Sequence, residues 1–368
     1  MSPKELKHSE PTSKSMDQIL MKSFYVHKRS IQAKLLGPHA RRLILLLVLT
    51  ASGCGQSNSP DVKDRNGRSE NRSHPATTVR EESTSTSSPS PHIRDTTLSV
   101  KEVWRIEGLG APAGIAYDRD ASELRLAQIG GEGDAKDGDG VISRVSMTGE
   151  ILEFSWSRGM NAPKDLVFDD DSIWVTDIDA VVKLDRKTGT VRQSISVPDA
   201  KFLVGIAINA DHRLLLADVL ASRICSLKDG EIRVLHEGIE LQSPSKLFCT
   251  ENGEIVATWG YTTDFSGDHL GSIFSWNSKT REITAWAVPM SGHWMGLCPD
   301  DAGGWFLADF ETGMILRVSN SGVWEQIAAL GRGLGSVLYL TERRLLLAAH
   351  ITENRLLAFH LTEAIAIR

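Results

Sequence analysis

A sixfold repeat of short apolar runs is the feature that most constrains the fold of this chain. The runs that begin each repeat, here called anchors, recur every 40 to 51 residues. They are Gly114–Tyr117, Asp165–Phe168, Gly205–Ile208, Lys246–Cys249, Gly296–Cys298 and Ser336–Tyr339. A second apolar run follows each anchor after about 12 residues, then a third and in several units a fourth. Short runs separated by Gly, Asp and Asn indicate β-strands, and helical periodicity is nowhere sustained.

Four strands in a unit of about 45 residues are typical of a propeller blade. The sixth unit stops after its third strand near Leu361, whereas the run Ser99–Ile106 precedes the first unit with no blade of its own. We expect this N-terminal strand to pair as the outer strand of the last blade, which closes the ring and leaves only short edges exposed. The sequence therefore predicts an all-β, six-bladed β-propeller of four-stranded blades over residues 97–368.

Residues 1–53 are predicted to be a lipoprotein signal peptide. The apolar run Leu43–Leu49 follows Arg41-Arg42 and is far shorter than the roughly 20 residues that a membrane-spanning helix needs. The small residues Ala51–Gly53 directly before Cys54 resemble a bacterial lipobox, so we expect cleavage before Cys54 and attachment of lipid to it. A cleaved secretory signal with an incidental cysteine is the alternative. The segment is longer than a signal needs, which leaves Met16 and Met21 open as start sites.

Residues 54–96 are predicted to be a disordered tether between the lipid and the propeller. This stretch is Ser, Thr, Pro and charge with almost no large apolar residue, so burial cannot offset the entropy cost of ordering it. Gly55, and not the aspartate that retains lipoproteins at the inner membrane, follows Cys54. The expected location is therefore the bacterial cell envelope, at the outer membrane, with the membrane contacted through the lipid.

The charge balance argues against a nucleic-acid partner. Residues 1–53 hold nine of the 41 Lys and Arg residues and three of the 47 Asp and Glu residues, so the remaining chain has a formal charge of about −12.

The three other cysteines, Cys225, Cys249 and Cys298, lie inside β-like runs. We expect them to be buried thiols, because an odd number cannot all pair internally.

Several segments resemble a known propeller family. They are similar to segments of the family of gluconolactonase, senescence marker protein and luciferin-regenerating enzyme. The segments are Ile129–Gly131 with Lys136–Ser143, Gly159–Lys164, Phe202–Ala207 and Ile351–Arg355. The resemblance covers residues 99–361, and the anchor Pro112–Asp118 also resembles the NHL repeat, whose role is often binding. It implies six blades and one divalent metal, often Ca²⁺, held on the axis by Glu, Asn and Asp oxygens. Such an ion polarises a lactone carbonyl and activates water for hydrolysis.

The oxygen donors of that implied metal site are missing. The positions two residues before the first apolar residue of each anchor are Ala113, Lys164, Val204, Ser245, Met295 and Gly335. By the resemblance, the family's glutamate matches Ala113, its asparagines match Val204 and Ser245, and its aspartate matches Met295. The next positions are Gly114, Asp165, Gly205, Lys246, Gly296 and Ser336. One carboxylate and two ammonium groups suit Ca²⁺ poorly, so we expect no metal and no cofactor.

We therefore hypothesise a metal-free, weakly cationic pocket at the axial mouth. Its predicted lining is Lys164, Asp165, Ser245, Lys246, His293, Trp294 and Met295. Such a pocket favours a small anionic or sugar-like ligand, with the lysines as charge partners and Trp294 as a stacking face. The alternative is that both lysines lie in solvent while Met295 and Val204 fill the channel.

Three further features have structural explanations that we favour. The acids of the loop Glu132–Gly140 could hold a cation but lack the spacing of a Ca²⁺-binding EF-hand loop. Asp177, Asp218 and Asp309 recur at the ends of second strands, with Gln128, Trp259 and His350 at the equivalent places, and we expect the aspartates to bond to backbone in the following turn. His350 has no visible catalytic partner. The bulky segment Trp259–Tyr261 and the loop Thr262–Leu270 are placed on the face of the fourth unit near the axis.

Three functions remain open from the sequence. The first is an envelope-tethered binding propeller or degenerate enzyme. The second is an active metal-dependent lactonase or esterase with relocated ligands, and the third is a protein-interaction scaffold that uses the rim. No Ser or Cys nucleophile motif and no phosphate-binding glycine loop is present in the sequence.

Overall fold

Six antiparallel sheets of four strands make up the described part of the chain. The computed structural model describes residues 98–265, 269–286, 291–319 and 321–363. Each sheet consists of strands that are consecutive in the chain, except that the sheet of the last blade also contains the N-terminal strand of the described residues. The predicted six-bladed β-propeller is confirmed, and the signal peptide, Cys54 and the tether lie outside the described residues.

The strands follow the predicted repeat. Blades 1 and 2 contain β2 (Pro112–Asp118), β3 (Glu123–Gln128), β4 (Gly140–Ser146), β5 (Ile151–Met160), β6 (Pro163–Asp169), β7 (Ser172–Asp177), β8 (Ala180–Asp185) and β9 (Val191–Ser196). Blades 3 and 4 contain β10 (Leu203–Ile208), β11 (Leu214–Asp218), β12 (Arg223–Lys228), β13 (Glu231–Glu237), β14 (Pro244–Thr250), β15 (Gly253–Thr258), β16 (Ile273–Trp276) and β17 (Ile283–Ala285). Blades 5 and 6 contain β18 (Trp294–Pro299), β19 (Trp305–Asp309), β20 (Met314–Val318), β21 (Trp324–Ala329), β22 (Leu334–Leu340), β23 (Leu345–His350), β24 (Arg355–Glu363) and β1 (Leu98–Ile106).

The N-terminal strand closes the ring as predicted. Strand β1 pairs antiparallel with β24, from Leu98 opposite Glu363 to Ile106 opposite Leu356, and so completes blade 6. The indole of Trp104 in β1 donates to the carbonyl oxygen of Met147 in blade 1 at 3.2 Å. One strand thus connects the last blade to the first.

The core consists of apolar layers between successive blades. One such layer contains Leu215 of blade 3 and Val256 of blade 4, and comparable layers lie between the other neighbouring pairs of blades. Central strands are buried on both faces, which explains their unbroken apolar runs, such as Leu214–Ala217 in β11. The thiols of Cys225, Cys249 and Cys298 are free, and burial raises their pKa values to about 11, 12 and 12. These values make the thiols unreactive at neutral pH.

Glycine allows innermost strands of neighbouring blades to approach closely. A side chain at Gly114 would place its first carbon 2.6 Å from the Lys164 carbonyl oxygen in blade 2, and one at Gly205 would lie 2.7 Å from the carbonyl oxygen of Ser245. Contacts that short do not occur, so a larger residue would push the blades apart.

The two faces of the ring differ in what they carry. The upper face, as we name it, carries the loops after the second strands and those that enter the first strands. Strand β1 runs from the lower face at Leu98 to the upper face at Ile106, because it is antiparallel to β24. No helix among the described residues has the length and apolar composition needed to span a membrane.

Candidate functional site

A bulge in every innermost strand positions the axial residues. The ladder between the first and second strands shifts register at the same place in all six blades, just before the anchor. Bulges of this kind re-aim side chains and are common beside functional sites. The twelve axial positions identified from the sequence are at these bulges.

Asp165 and Lys246 form a buried ion pair at the centre of the ring. The Lys246 Nζ lies 2.6 Å from Asp165 Oδ1, and the side chains are 13% and 3% exposed. The other carboxylate oxygen accepts the Ile206 N–H at 3.1 Å. The charge of Lys246 is therefore neutralised within the protein, and Asp165 has little capacity left for another cation.

Lys164 is a buried amine at the mouth with no carboxylate in ion-pair contact among the described residues. Its Nζ donates to the carbonyl oxygens of Gly133 at 2.6 Å and Ala162 at 2.9 Å and lies 4.5 Å from the centre of the Phe202 ring. Burial lowers the pKa of Lys164 to about 7, although the more distant Asp177 and Asp134 partly oppose the shift. Near neutral pH this amine is thus divided between its charged and neutral forms.

Ser245 and Trp294 serve packing between blades. The Ser245 hydroxyl is fully buried and contacts the carbonyl oxygen of Ala257 at 3.0 Å and that of Trp294 in the next blade. Trp294 is fully buried in the apolar layer between blades 4 and 5, where its indole N–H has no partner. The stacking face predicted at Trp294 is corrected accordingly: this ring lies in the core because the bulge follows it.

His293 and Met295 lie at the mouth on either side of Trp294. The His293 Nδ1 donates to the Trp259 carbonyl oxygen at 2.6 Å, and the two rings lie 4.7 Å apart. Met295 is partly buried against the cluster that contains Phe202, Val204 and Trp259. Trp259 itself is 8% exposed, so most of its ring is buried against the neighbouring aromatic side chains.

The residues that end the second strands have structural roles. Asp177 accepts the N–H groups of Asn161 at 2.9 Å and Ala162 at 2.7 Å, and Asp218 accepts those of Lys201 at 3.0 Å and Phe202 at 2.9 Å. These acceptors fix the loop that precedes the first strand of the same blade. The predicted bond to the following turn is also present in Asp218, which accepts the Ala221 N–H at 3.3 Å.

The strand register corrects the sequence alignment in blade 4. Thr258, not Trp259, pairs opposite Pro244 as Asp177 does opposite Pro163. Trp259 therefore follows the last residue of this ladder, as Ile178 does in blade 2. All six blades carry an apolar side chain at this position directly after the second strand. These residues, here called the apolar ring, are Ile129, Ile178, Val219, Trp259, Phe310 and Ile351. An aligned apolar residue after each second strand is the sequence signal that we missed.

Aromatic residues extend the apolar ring over blades 3 to 5. The Trp259 ring centre lies 5.2 Å from those of Phe265 and Phe310, and Phe265 lies 5.0 Å from Phe202. Phe265, Phe310 and Met295 are partly exposed. The mouth is therefore apolar and aromatic, with the Lys164 amine at its edge.

The loop Glu132–Gly140 does not gather its acids into a cation site. The group of possible metal ligands that the structure brings together is Asp169, Asp170 and His212 on the lower face, and the loop acids form no such group among the described residues. The Lys136 Nζ instead lies 2.5 Å from Asp179 in blade 2, which ties the loop across the top of that blade.

Comparisons with known proteins show the fold. No protein-family model and no curated protein matches the chain. Among solved structures, a virginiamycin B lyase from Staphylococcus aureus is 13% identical with a TM-score of 0.51, over 72% of this chain and 100% of that one. A luciferin-regenerating enzyme is 11% identical with a TM-score of 0.51, over 72% and 95%. An auxiliary nutrient binding protein from Bacteroides thetaiotaomicron is 11% identical with a TM-score of 0.54, over 72% and 77%.

Proposed function

We propose that this protein is a propeller that binds a small ligand at its axial mouth without a divalent metal. The observation that supports this proposal best is the apolar ring, which surrounds the mouth with Lys164 as its buried amine. Ligand sites are mostly apolar with a few polar groups that orient the ligand. The proposed ligand therefore has a ring, sugar-like or aromatic, that packs against the partly exposed Phe265 and Phe310 of the Trp259 cluster, and an anionic group that pairs with Lys164.

The axial residues do not fit the Ca²⁺ that the family resemblance implies. Asp165 is the one carboxylate among the twelve positions, and Lys246 and the Ile206 N–H occupy it. The Ser245 hydroxyl is used between blades. Ca²⁺ takes six to eight oxygen ligands, several of them charged, so this donor set is inadequate.

The fold itself does not decide between binding and catalysis. Propellers of similar structure include a lyase, a luciferin-regenerating enzyme and a nutrient binding protein. Function must therefore be argued from the site. The buried amine and the aromatic cluster at the mouth support binding.

The position of β1 agrees with a tethered protein whose mouth is accessible. Leu98 lies at the lower face, opposite the mouth. A lipid on Cys54, joined through residues 55–97, would thus be connected to the face that does not bind ligand. We propose anchoring in a bacterial envelope on the basis of the lipobox-like run Ala51–Gly53 before Cys54. Mass spectrometry of the mature protein tests it, since Cys54→Ser should abolish the lipid mass and release the protein from membranes.

Ligand titration tests the mouth. We expect D-glucuronate, observed by NMR and by tryptophan fluorescence, to bind more tightly than uncharged D-glucose. Trp259→Leu should remove this binding, and Lys164→Met should remove the preference for the acid. Trp324→Leu is the matched control, because Trp324 lies on the outer strand β21 and is 42% exposed. Binding that Trp259→Leu leaves unchanged would contradict the proposed site.

Metal titration separates this proposal from the lactonase alternative. We expect no stoichiometric, micromolar binding of Ca²⁺ at the axis and no chelator-sensitive hydrolysis of D-glucono-1,5-lactone. Hydrolysis that a chelator abolishes would instead select a metal-dependent hydrolase with relocated ligands. A partner protein whose capture is insensitive to both Trp259→Leu and Lys164→Met would select the scaffold.

A further inference from the structure

A cavity lies on the upper face of blade 1, away from the axis. It has a volume of about 270 Å³. Its lining is Gly110, Gln128, Gly130, Gly138, Asp139, Val141, Phe154, Ser155 and Arg158. The volume is just below the roughly 300–1,000 Å³ of clefts for drug-sized ligands, so the occupant must be smaller.

Two opposite charges line this cavity without neutralising each other. Most arginines that the structure describes form ion pairs, but Arg158 forms none with any described residue. The Asp139 carboxylate likewise has no ion pair within the described ranges, although its own N–H donates to Asp137 at 3.1 Å. A positive and a negative side chain that line the same cavity without contacting each other can each pair with the opposite charge of a zwitterionic ligand.

The outer strand of blade 1 is distorted where it forms the cavity. Strand β5 has ten residues, and its ladder with β4 shifts register three times. These irregularities lie along the stretch that carries Phe154, Ser155 and Arg158, and bulges are common where a strand presents side chains to a ligand. Phe154 is 42% exposed, so its ring is available as an apolar contact surface.

Glycine leaves the opposite wall open. Gly138 has a φ of +79°, and no atom lies within 4 Å of the place where a side chain would begin. Gly110 and Gly130 also contribute backbone to this wall, and a side chain at Gly130 would place its first carbon 2.6 Å from the Asp139 carbonyl oxygen. The cavity is therefore bounded by backbone on one side and by Phe154 and Arg158 on the other.

We propose that this cavity binds a free α-amino acid with an apolar side chain. The ligand carboxylate pairs with Arg158, its ammonium group pairs with Asp139, and its side chain contacts the Phe154 ring. A single amino acid is small enough for the volume, and it has both charges close together. This site is independent of the axial mouth.

Titration of the full-length protein with L-leucine tests the proposal by calorimetry and ligand-observed NMR. L-leucine should bind at least about tenfold more tightly than N-acetyl-L-leucine, which lacks the ammonium group, or L-leucinamide, which lacks the carboxylate. Arg158→Gln and Asp139→Asn should each weaken L-leucine binding by a similar factor. Phe154→Ala should reduce the preference for L-leucine over glycine.

Matched variants make the result decisive. Arg343→Gln removes an exposed arginine that has no ion pair among the described residues, far from the cavity, and should leave binding unchanged. Trp259→Leu should also leave it unchanged, which separates this site from the mouth. The proposal is overturned if L-leucine fails to bind at millimolar concentration, or if it binds the Arg158→Gln and Asp139→Asn variants as it binds the natural protein.

Discussion

Asp165 of blade 2 and Lys246 of blade 4 meet at 2.6 Å, with the innermost strand of blade 3 between their own strands. The Ile206 N–H of that intervening strand donates to the same carboxylate at 3.1 Å. The Asp165 carboxylate thus connects blades 2, 3 and 4 at the axis through one ion pair and one hydrogen bond. The pair therefore uses the anionic oxygens of the axis within the protein.

Breaking this pair should destabilise the ring. Asp165→Asn leaves the Lys246 ammonium buried without a counter-charge, so we expect the free energy of unfolding to fall by about 3–5 kcal/mol in urea denaturation. The double variant Asp165→Asn with Lys246→Met removes the stranded charge and should recover much of that loss. Purely additive effects of the two substitutions would show that the pair is not coupled.

The closing strand should be required for the whole domain. Removing residues 99–108 deletes most of β1 and exposes the apolar edge of β24, so we expect a large fall in melting temperature or loss of folding. Removing residues 55–96 is the control and should leave the melting temperature unchanged. A propeller that melts normally without β1 would contradict closure by this strand.

The fold was predictable because each blade is specified by a short sequence pattern that the chain repeats six times. Each blade carries the same order of apolar runs, and the missing strand of the sixth unit is matched by the surplus run Ser99–Ile106. Packing between blades needs no specific long-range pair, since every blade presents apolar faces to both neighbours. Periodicity therefore predicts both the blade number and the closure.

The site was less predictable because it depends on bulges and on distant pairs. A bulge changes the face that a side chain occupies, so Trp294 enters the layer between blades, while Trp259 from another blade belongs to the aromatic cluster near the axis. Asp165 and Lys246 are 81 residues apart, and nothing local indicates that they pair. The sequence identified Lys164 as axial, but its burial depends on Phe202 and on the loop that contains Gly133.

His350 should prove structural and pH-sensitive. It is fully buried and its Nε2 donates to the carbonyl oxygens of Leu330 at 3.1 Å and Gly331 at 3.2 Å. His350→Gln should be tolerated, since Gln128 occupies the equivalent place in blade 1. His350→Leu removes the donor of the Gly331 carbonyl oxygen and leaves that of Leu330 with only the 3.4 Å contact from Arg355, which should cost about 1–3 kcal/mol. Urea unfolding of both variants at pH 7 checks this order.

The pH dependence gives a second readout for His350. Burial lowers its pKa below the ordinary 6.5, so in acid the unfolded chain binds a proton before the folded protein does. Stability from this group is therefore present above pH 6.5 and is lost progressively as the pH falls from 6.5 through the lower pKa of the folded protein. His350→Gln should show a weaker loss between pH 7 and pH 5, and equal losses would refute the assignment.

Lys164 should make the protein more stable as the pH rises above neutrality. Burial lowers its pKa from 10.5 to about 7, so between these values the unfolded chain holds a proton that the folded protein has released. The contribution of Lys164 to the free energy of unfolding is complete above pH 10.5 and is lost as the pH falls to about 7. The unfolding free energy should therefore increase with pH by up to about 1.4 kcal/mol per unit.

Comparison with Lys164→Met over pH 7 to 9 isolates this effect. The variant lacks the titrating amine, so its unfolding free energy should rise less steeply than that of the natural protein over this range. Measurements stop near pH 9 because the buried thiols, whose pKa values burial raises from 9, oppose the trend at higher pH. Lys246→Met is the contrasting control, since that amine is paired with Asp165 and should not abolish the rise. Parallel pH profiles of Lys164→Met and the natural protein would mean that Lys164 remains protonated in the fold, and its charge would then be available to an anionic ligand throughout this range.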